Sequence, residues 1–278
     1  MKVTLLQHDI TWANPAANRQ HLDELLDTQP QSDLFVLTEM WSTGFAVQAE
    51  AIAETADSDS LCWMKEKARQ HQAAIAGSLL VKDHGRYYNR FYFVKPNGEV
   101  THYDKRHLFT YGGEDKYFTR GEERVVVEWG GVRFLLQVCY DLRFPVWSRN
   151  SCDKESVNGK SVNRKSYDVI LYVANWPVPR IEVWNTLLKA RAIENQCYVV
   201  GVNRVGESLP SKSSDKGGEP IQYNGSSAII DPYGRIIAAP QLDVEQAVSA
   251  DINLDKLNAF RAKFPVLNDQ DRFTFYNL

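Results

Sequence analysis

The sequence is short of most features that would announce a function at once. Nowhere do about 18 apolar residues follow one another, the length a membrane-crossing helix needs. The opening Met-Lys-Val-Thr-Leu-Leu-Gln-His-Asp has too short an apolar run for a signal peptide. Four cysteines, Cys62, Cys139, Cys152 and Cys197, stand far apart, with no Cys-x-x-Cys pair and no histidine at ligand spacing, so neither a zinc site nor a disulfide frame is suggested. Neither sign of charge is in excess: Lys plus Arg total 32 against 35 for Asp plus Glu, which gives no electrostatic reason to expect nucleic acid or an anionic membrane as partner. No self-similar period is present, which excludes solenoids and propellers. The expectation is a cytoplasmic protein acting on a small molecule, without metal or cofactor.

What is present is an alternation of strands and helices across all 278 residues without a linker-like break, which reads as one α/β domain, 1–278. Val3 to Gln7 opens with a strand, and Asn14-Pro15 caps a helix through about Thr28. A second helix follows Ser58 or Ser60 to about Gln72, and Ala73 to Val81 is a buried strand. Arg86 to Lys95 and Glu99 to Lys105 flank Pro96-Asn97-Gly98, the residues of a hairpin turn. Further on come strands over Tyr167 to Ala174 and Cys197 to Asn203 with a helix over Ile181 to Gln196 between them. A hairpin around Asp231-Pro232-Tyr233-Gly234, an edge strand Val248 to Ile252 and a helix to Lys263 complete the pattern. The polar stretch 148–166 has almost nothing apolar and reads as a mobile surface insertion, and Glu207 to Pro220 as a second flexible loop. The tail Phe273-Thr274-Phe275-Tyr276 is too apolar to hang free.

Reactive side chains collect at strand ends. Val132 to Val138 is an apolar strand that exits on Cys139, followed by Tyr-Asp and a Pro-led helical segment. A thiol in such a sharp turn suits a nucleophile, because the backbone N–H groups that begin the next segment can stabilise an oxyanion. Taken alone, a cysteine there more often fills space. Glu39 ends the apolar run that starts at Asp33, however, and Lys105 ends the hairpin strand. A Glu, a Lys and a Cys are thus delivered by three strand ends.

That trio, in that chain order, resembles the nitrilase superfamily of carbon–nitrogen hydrolases. The resemblance extends to Asn175-Trp176-Pro177, to the run from Trp184 to Gln196 and to Gly201-Val202-Asn203-Arg204-Val205-Gly206, and is greatest toward the omega-amidase branch. It implies a four-layer α-β-β-α sandwich and a homodimer. It also implies catalysis by Glu39, Lys105 and Cys139 through a thioester, with the Tyr140 N–H facing the oxyanion and Glu114 orienting Lys105 or the substrate. Lys105 is expected to lower the thiol pKa. The implied substrate is a small omega-monoamide of a dicarboxylic or 2-oxo-dicarboxylic acid, hydrolysed to the acid and ammonia. Phe45, Tyr111, Phe118 and Trp176, with Asn175, are candidate pocket residues, ordinary core packing being the alternative for each aromatic. The alternative for Glu114 is a solvated loop acid.

Rival readings are a nitrilase or carbamoylase chemistry on the same scaffold, a Cys–His hydrolase using His107, and a non-catalytic interaction protein. Several arginines, including Arg143, Arg180 and Arg191, could read a substrate carboxylate or be structural, and Arg143 has a simple partner in Asp141.

Overall fold

Strands as apolar as Val169–Ala174, buried at every position, must be covered on both faces. The computed structural model, which describes residues 1–47, 49–150, 155–157, 160–162, 166–208 and 220–271, meets that requirement with two sheets stacked face to face and helices outside. In chain order the first elements are β1 (Lys2–Gln7), α1 (Pro15–Asp27), β2 (Leu34–Val36), β3 (Glu54–Thr55), α2 (Asp59–His71), β4 (Ala74–Asp83), β5 (Arg86–Val94) and β6 (Val100–Asp104). Then come β7 (Val126–Trp129), β8 (Val132–Val138), α3 (Pro145–Ser148), β9 (Glu155–Val157), β10 (Lys160–Val162), β11 (Val169–Ala174), α4 (Ile181–Glu194) and β12 (Tyr198–Asn203). The last are β13 (Val205–Ser208), β14 (Ile221–Asn224), β15 (Ala228–Ile230), β16 (Ile236–Ala238), β17 (Gln246–Asp251) and α5 (Leu254–Lys263).

The first sheet runs β17-β1-β2-β4-β5-β6, with β3 on β4; the second runs β16-β15-β12-β11-β8-β7. Both are mixed, parallel at their centres and antiparallel toward their edges. Alternation along β11 shows how the layers arise. Val169, Leu171 and Val173 enter the core between the sheets, with Val3, Phe91, Phe93 and Phe134. Ile170, Tyr172 and Ala174 face Trp184, Leu188 and Ala192 of α4 instead. On the far side Phe35, Ile75 and Leu79 meet Leu22 and Leu26 of α1 and Leu61, Met64 and Ala68 of α2. The expected four-layer sandwich is therefore present, each fully buried Leu, Val or Phe contributing about 1.5–3 kcal/mol.

Local signals are obeyed at the helix ends. Asn14 and Ser58 accept hydrogen bonds from Ala17 and Leu61 at the starts of α1 and α2, and Asn253 does the same for α5. No helix among the described residues is long and apolar enough to cross a membrane.

Two expectations, on the run after Asp33 and on Glu207 and Ser208, need correction. The apolar run after Asp33 forms a strand only over Leu34–Val36, because the chain must turn away to place Glu39. The polar stretch 148–166 is anchored at both ends, since Ser148, Asn150 and Ser166 are buried. Asn150 donates to the Asn195 carbonyl (3.0 Å) and accepts from the Tyr167 N–H (3.2 Å), and within the stretch β9 and β10 pair as an antiparallel ribbon. Glu207 and Ser208, read as loop, pair with β14. Cys152, residues 209–219 and the tail Phe273 to Tyr276 lie outside the described residues.

Candidate active site

The register of the two sheets brings the reactive strand ends to one edge. In the second sheet Val138 pairs with Val173 and Ala174 with Asn203, so Cys139 and Asn175 leave adjacent parallel strands side by side. In the first sheet Arg90 pairs with Asp104, and one residue further the Lys105 N–H donates to the Asn89 carbonyl at 3.0 Å. Lys105 thus emerges beside Asn89, under the loop that carries Glu39.

Cys139 takes a positive φ of 44°, which a residue with a Cβ adopts only when its surroundings enforce it. The enforcing group is Asp141. Its Oδ2 accepts from the Val138 N–H (2.9 Å) and the Tyr103 hydroxyl (2.8 Å), and its Oδ1 accepts from the His107 N–H (3.0 Å). The His107 ring nitrogen Nδ1 also lies 2.8 Å from Oδ1. One wholly buried carboxylate therefore ties the elbow after β8 to the segment around Lys105.

Glu39, Lys105 and Glu114 form a buried chain of charge, none of their side chains reaching solvent. Lys105 Nζ donates to Glu39 Oε1 (3.0 Å) and to both oxygens of Glu114 (3.1 and 2.9 Å). Asn89 Nδ2 donates to Glu39 Oε1 (2.7 Å) and reaches Glu114 Oε1 (3.3 Å). The Asn175 N–H donates to Glu39 Oε2 (2.8 Å), while its side-chain amide donates to the Glu39 carbonyl (2.7 Å). The Phe109 N–H holds Glu114 Oε2 at 2.5 Å. Gly121 is required close by: a Cβ there would meet the Asp104 carbonyl oxygen at 2.1 Å.

Two carboxylates around one ammonium leave an excess negative charge, and the titrations follow it. Burial alone would lower Lys105, but Glu114 and Glu39 outweigh it and hold the ammonium above its ordinary pKa. Glu114 is raised by burial and by Glu39, against the pull of Lys105. The Cys139 thiol is pushed well above its ordinary value, first by burial, then by the Glu39 charge, with Lys105 opposing and Glu114 and a hydrogen bond to Glu39 adding to the rise. Lys105 does pull the thiol down, as expected, but burial and the Glu39 charge outweigh it, so the net shift is upward.

Above the triad opens a cavity of about 860 Å³, lined among others by Glu39, Phe45, Lys105, Tyr111, Cys139, Tyr140, Asn175 and Trp176. The Phe45 ring centroid lies 5.5 Å from Lys105 Nζ. Tyr111 is at the mouth, 88% exposed. Phe118 is not on the wall; it packs with Met40 and Leu80 in a small core of its own. Glu114 is no solvated loop acid, being fully buried. Arg143 does not pair with Asp141, whose oxygens are taken by His107, Tyr103 and Val138; its guanidinium lies 5.1 Å over the Trp176 ring. Arg191 is structural, bonded to Glu194 and to the Leu142 carbonyl. The His107 ring stacks on Phe144 at 3.8 Å beside Asp141 and does not line the cavity. The residue that sequence reasoning missed is Asn89, and its signal was there: a lone amide inside the aromatic strand Arg-Tyr-Tyr-Asn-Arg-Phe-Tyr-Phe-Val.

Comparison with known proteins identifies the family. The carbon-nitrogen hydrolase family profile matches residues 2–262. The chain is 44% identical over 275 residues to the omega-amidase YafV of Yersinia enterocolitica, covering 98% of each, and 43% identical to that of Escherichia coli K12, covering 99% of each. It is 32% identical to the 2-oxoglutaramate amidase of Bacillus subtilis, over 96% of both. Among solved structures, XC1258 from Xanthomonas campestris, a CN-hydrolase superfamily protein with an arsenic adduct in its active site, superposes with a TM-score of 0.89 at 39% identity over 99% of each chain. The chain belongs to the carbon-nitrogen hydrolase family, the nitrilase superfamily.

Proposed function

We propose that the protein is a thiol-dependent omega-amidase, converting a small omega-monoamide of a dicarboxylic or 2-oxo-dicarboxylic acid, of the 2-oxoglutaramate or 2-oxosuccinamate type, to the acid and ammonia. The observation that carries the reading is Glu39 hydrogen-bonded to Lys105 at 3.0 Å on the wall of the cavity that Cys139 enters. The full-length likeness to omega-amidases supports the substrate class.

In this reading the raised thiol stays protonated until substrate arrives. Glu39 then takes the Cys139 proton as sulfur attacks the amide carbon. Negative charge developing on the amide oxygen meets Lys105 and the Tyr140 N–H, in the first turn after the elbow, where backbone donors have no helical partner. Glu39 returns the proton to the departing nitrogen, ammonia leaves, and a thioester remains. Water enters, gives a proton to Glu39 and attacks the thioester carbon; collapse releases the acid and restores the thiol. Glu114 acts as a positioning residue, holding Lys105 by both oxygens.

A cytoplasmic location and a homodimer belong to the same proposal. Free thiols, the exposed Cys62 among them, suit a reducing compartment. Ile193 of α4 and Tyr233 of the turn between β15 and β16 are each 55% exposed, apolar surface that a second copy would cover.

The test is ammonia release from 2-oxoglutaramate, succinamate, glutamine and a nitrile, with the Glu39→Gln, Cys139→Ala and His107→Gln variants. The first two variants should abolish turnover of the omega-amides while the third retains it. Equal turnover of the nitrile, or activity that survives Cys139→Ala, would overturn the assignment.

A further inference from the structure

The cavity holds two positive charges that no acid answers. Several other arginines in the fold are neutralised: Arg90 by Asp83 and Asp104, Arg133 and Arg261 by Asp168, Arg204 by Asp9, Arg235 by Asp231. Arg143 and Arg180 have no ion pair among the described residues, and both line the cavity. Each is instead laid against an aromatic face, Arg143 over Trp176 at 5.1 Å and Arg180 over Phe109 at 5.4 Å. An aromatic face orients a guanidinium and leaves its N–H edge and its charge unspent.

Their origins set the geometry. Arg143 closes the short turn that begins at Cys139, and Arg180 stands immediately before α4, reached through Asn175-Trp176-Pro177 from the end of β11. The two segments come from neighbouring strands, β8 and β11, so both guanidiniums stand on the second-sheet side, whereas Glu39 and Lys105 come from the first-sheet side. A substrate whose amide carbon meets Cys139 and whose nitrogen faces Glu39 has its remaining chain free to run toward these cations.

We propose that Arg180 and Arg143 form the acyl-end recognition site, clamping the substrate's distal carboxylate and thereby selecting monoanionic omega-amides. The pairing is chemically apt, because a planar guanidinium matches a carboxylate with two parallel hydrogen bonds. The wall also carries a negative preference: Glu39 is the only acid among the lining residues described. An α-ammonium on the substrate would find cations and no partner, so 2-oxo or unsubstituted chains are favoured over the amides of α-amino acids.

This inference rests on the amidase reading, and the experiment separates the two. Ammonia release is measured from glutaramate, the five-carbon acid amide, and from pentanamide, which has a methyl group in place of the carboxylate. In the parent enzyme glutaramate should be strongly preferred. Arg180→Met should lower the ratio of kcat/KM for glutaramate to that for pentanamide by at least about 100-fold, mainly through KM, since one guanidinium of two is removed. Arg143→Met should act likewise, and Arg180→Lys should recover only part of the ratio. A ratio that stays constant, both substrates falling together or neither changing, would overturn the clamp while leaving the amidase intact. Should the parent release ammonia from neither compound nor from 2-oxoglutaramate, the amidase reading fails. Calorimetric binding of glutarate then decides the clamp alone: weakened by Arg180→Met it stands, unaffected it falls.

Discussion

Removing the Asn89 side-chain amide tests whether the buried charges need more than their mutual attraction. Asn89→Leu keeps the heavy-atom count and branching of the side chain and the backbone carbonyl that receives the Lys105 N–H, and it deletes the donor shared by Glu39 (2.7 Å) and Glu114 (3.3 Å). A hydrogen bond to a charged group contributes about 1.5–3 kcal/mol, and the longer contact adds little. If that donor is what keeps Glu39 aligned as proton acceptor while two carboxylates share one ammonium, its loss enters the barrier. At about 1.36 kcal/mol per decade the expected fall in kcat is roughly 10- to 150-fold. KM should move little, because Asn89 is not among the residues that line the cavity. Stability should change less than activity, since the Asn89 Oδ1 atom is buried without a partner and its removal offsets part of the lost bond.

The assay is ammonia release at saturating and limiting substrate, with thermal melting alongside. Asn89→Asp, nearly the same shape, should lose more activity than Asn89→Leu, because it puts a third carboxylate where a donor stood. A leucine variant with kcat within about twofold of the parent, or with its whole loss in KM, would refute the reasoning. So would an aspartate variant more active than the leucine one.

Two further outcomes follow from titration. Glu39→Gln removes the second largest cause of the raised Cys139 thiol while Lys105 stays, so thiolate ultraviolet absorbance, read against Cys139→Ser, should develop at lower pH than in the parent; an unchanged midpoint would contradict the charge balance described. Burial holds the His8 imidazole down from 6.5 to about 4, with the Asp9 carbonyl pulling the other way and His21, Glu245 and Arg204 contributing less; between those values the unfolded chain binds a proton the fold refuses, so stability is flat above the window and falls as pH drops through it. At about pH 5 the loss is about 2 kcal/mol, and a His8→Gln chain should melt with a flatter pH dependence over that range.

The parts of the site that could be read from sequence are those set locally. Lys105 and Cys139 each stand one residue past a strand that the pattern located, whereas before Glu39 the apolar run overstated the strand, which ends at Val36. The helix starts at Asn14, Ser58 and Asn253 were equally local. What stayed hidden depends on sums over space. For Glu114 only the family resemblance argued against a solvated loop acid, and its burial depends on Phe109 and Lys105 being folded over it. The direction of the thiol shift requires the burial and the Glu39 charge to be summed against Lys105, a balance that sequence spacing does not supply. Asp141 sits two residues from Arg143, yet its partners are 34 and 38 residues away. Asn89 could have been flagged as an amide in a buried strand, but its two carboxylates arrive from residues 50 and 25 positions distant.

The division of labour between the sheets explains why the site lies where it does. Glu39, Asn89 and Lys105 are delivered by the first sheet and Cys139 and Asn175 by the second, so the acceptor and the nucleophile meet only across the seam. A buried pair of carboxylates around an ammonium is poor ground for stability, since desolvating the charges costs several kcal/mol per ion before their attraction offsets it. The fold tolerates it because the inter-sheet core, with Phe93 and Phe134 rings 5.7 Å apart, fixes the spacing independently of the charges. The same separation makes the acid legible as a base rather than as a strut. In the proposed mechanism Lys105 stays held by Glu114, so the Cys139 proton moves to Glu39 without dismantling the network that positions the ammonium for the oxyanion.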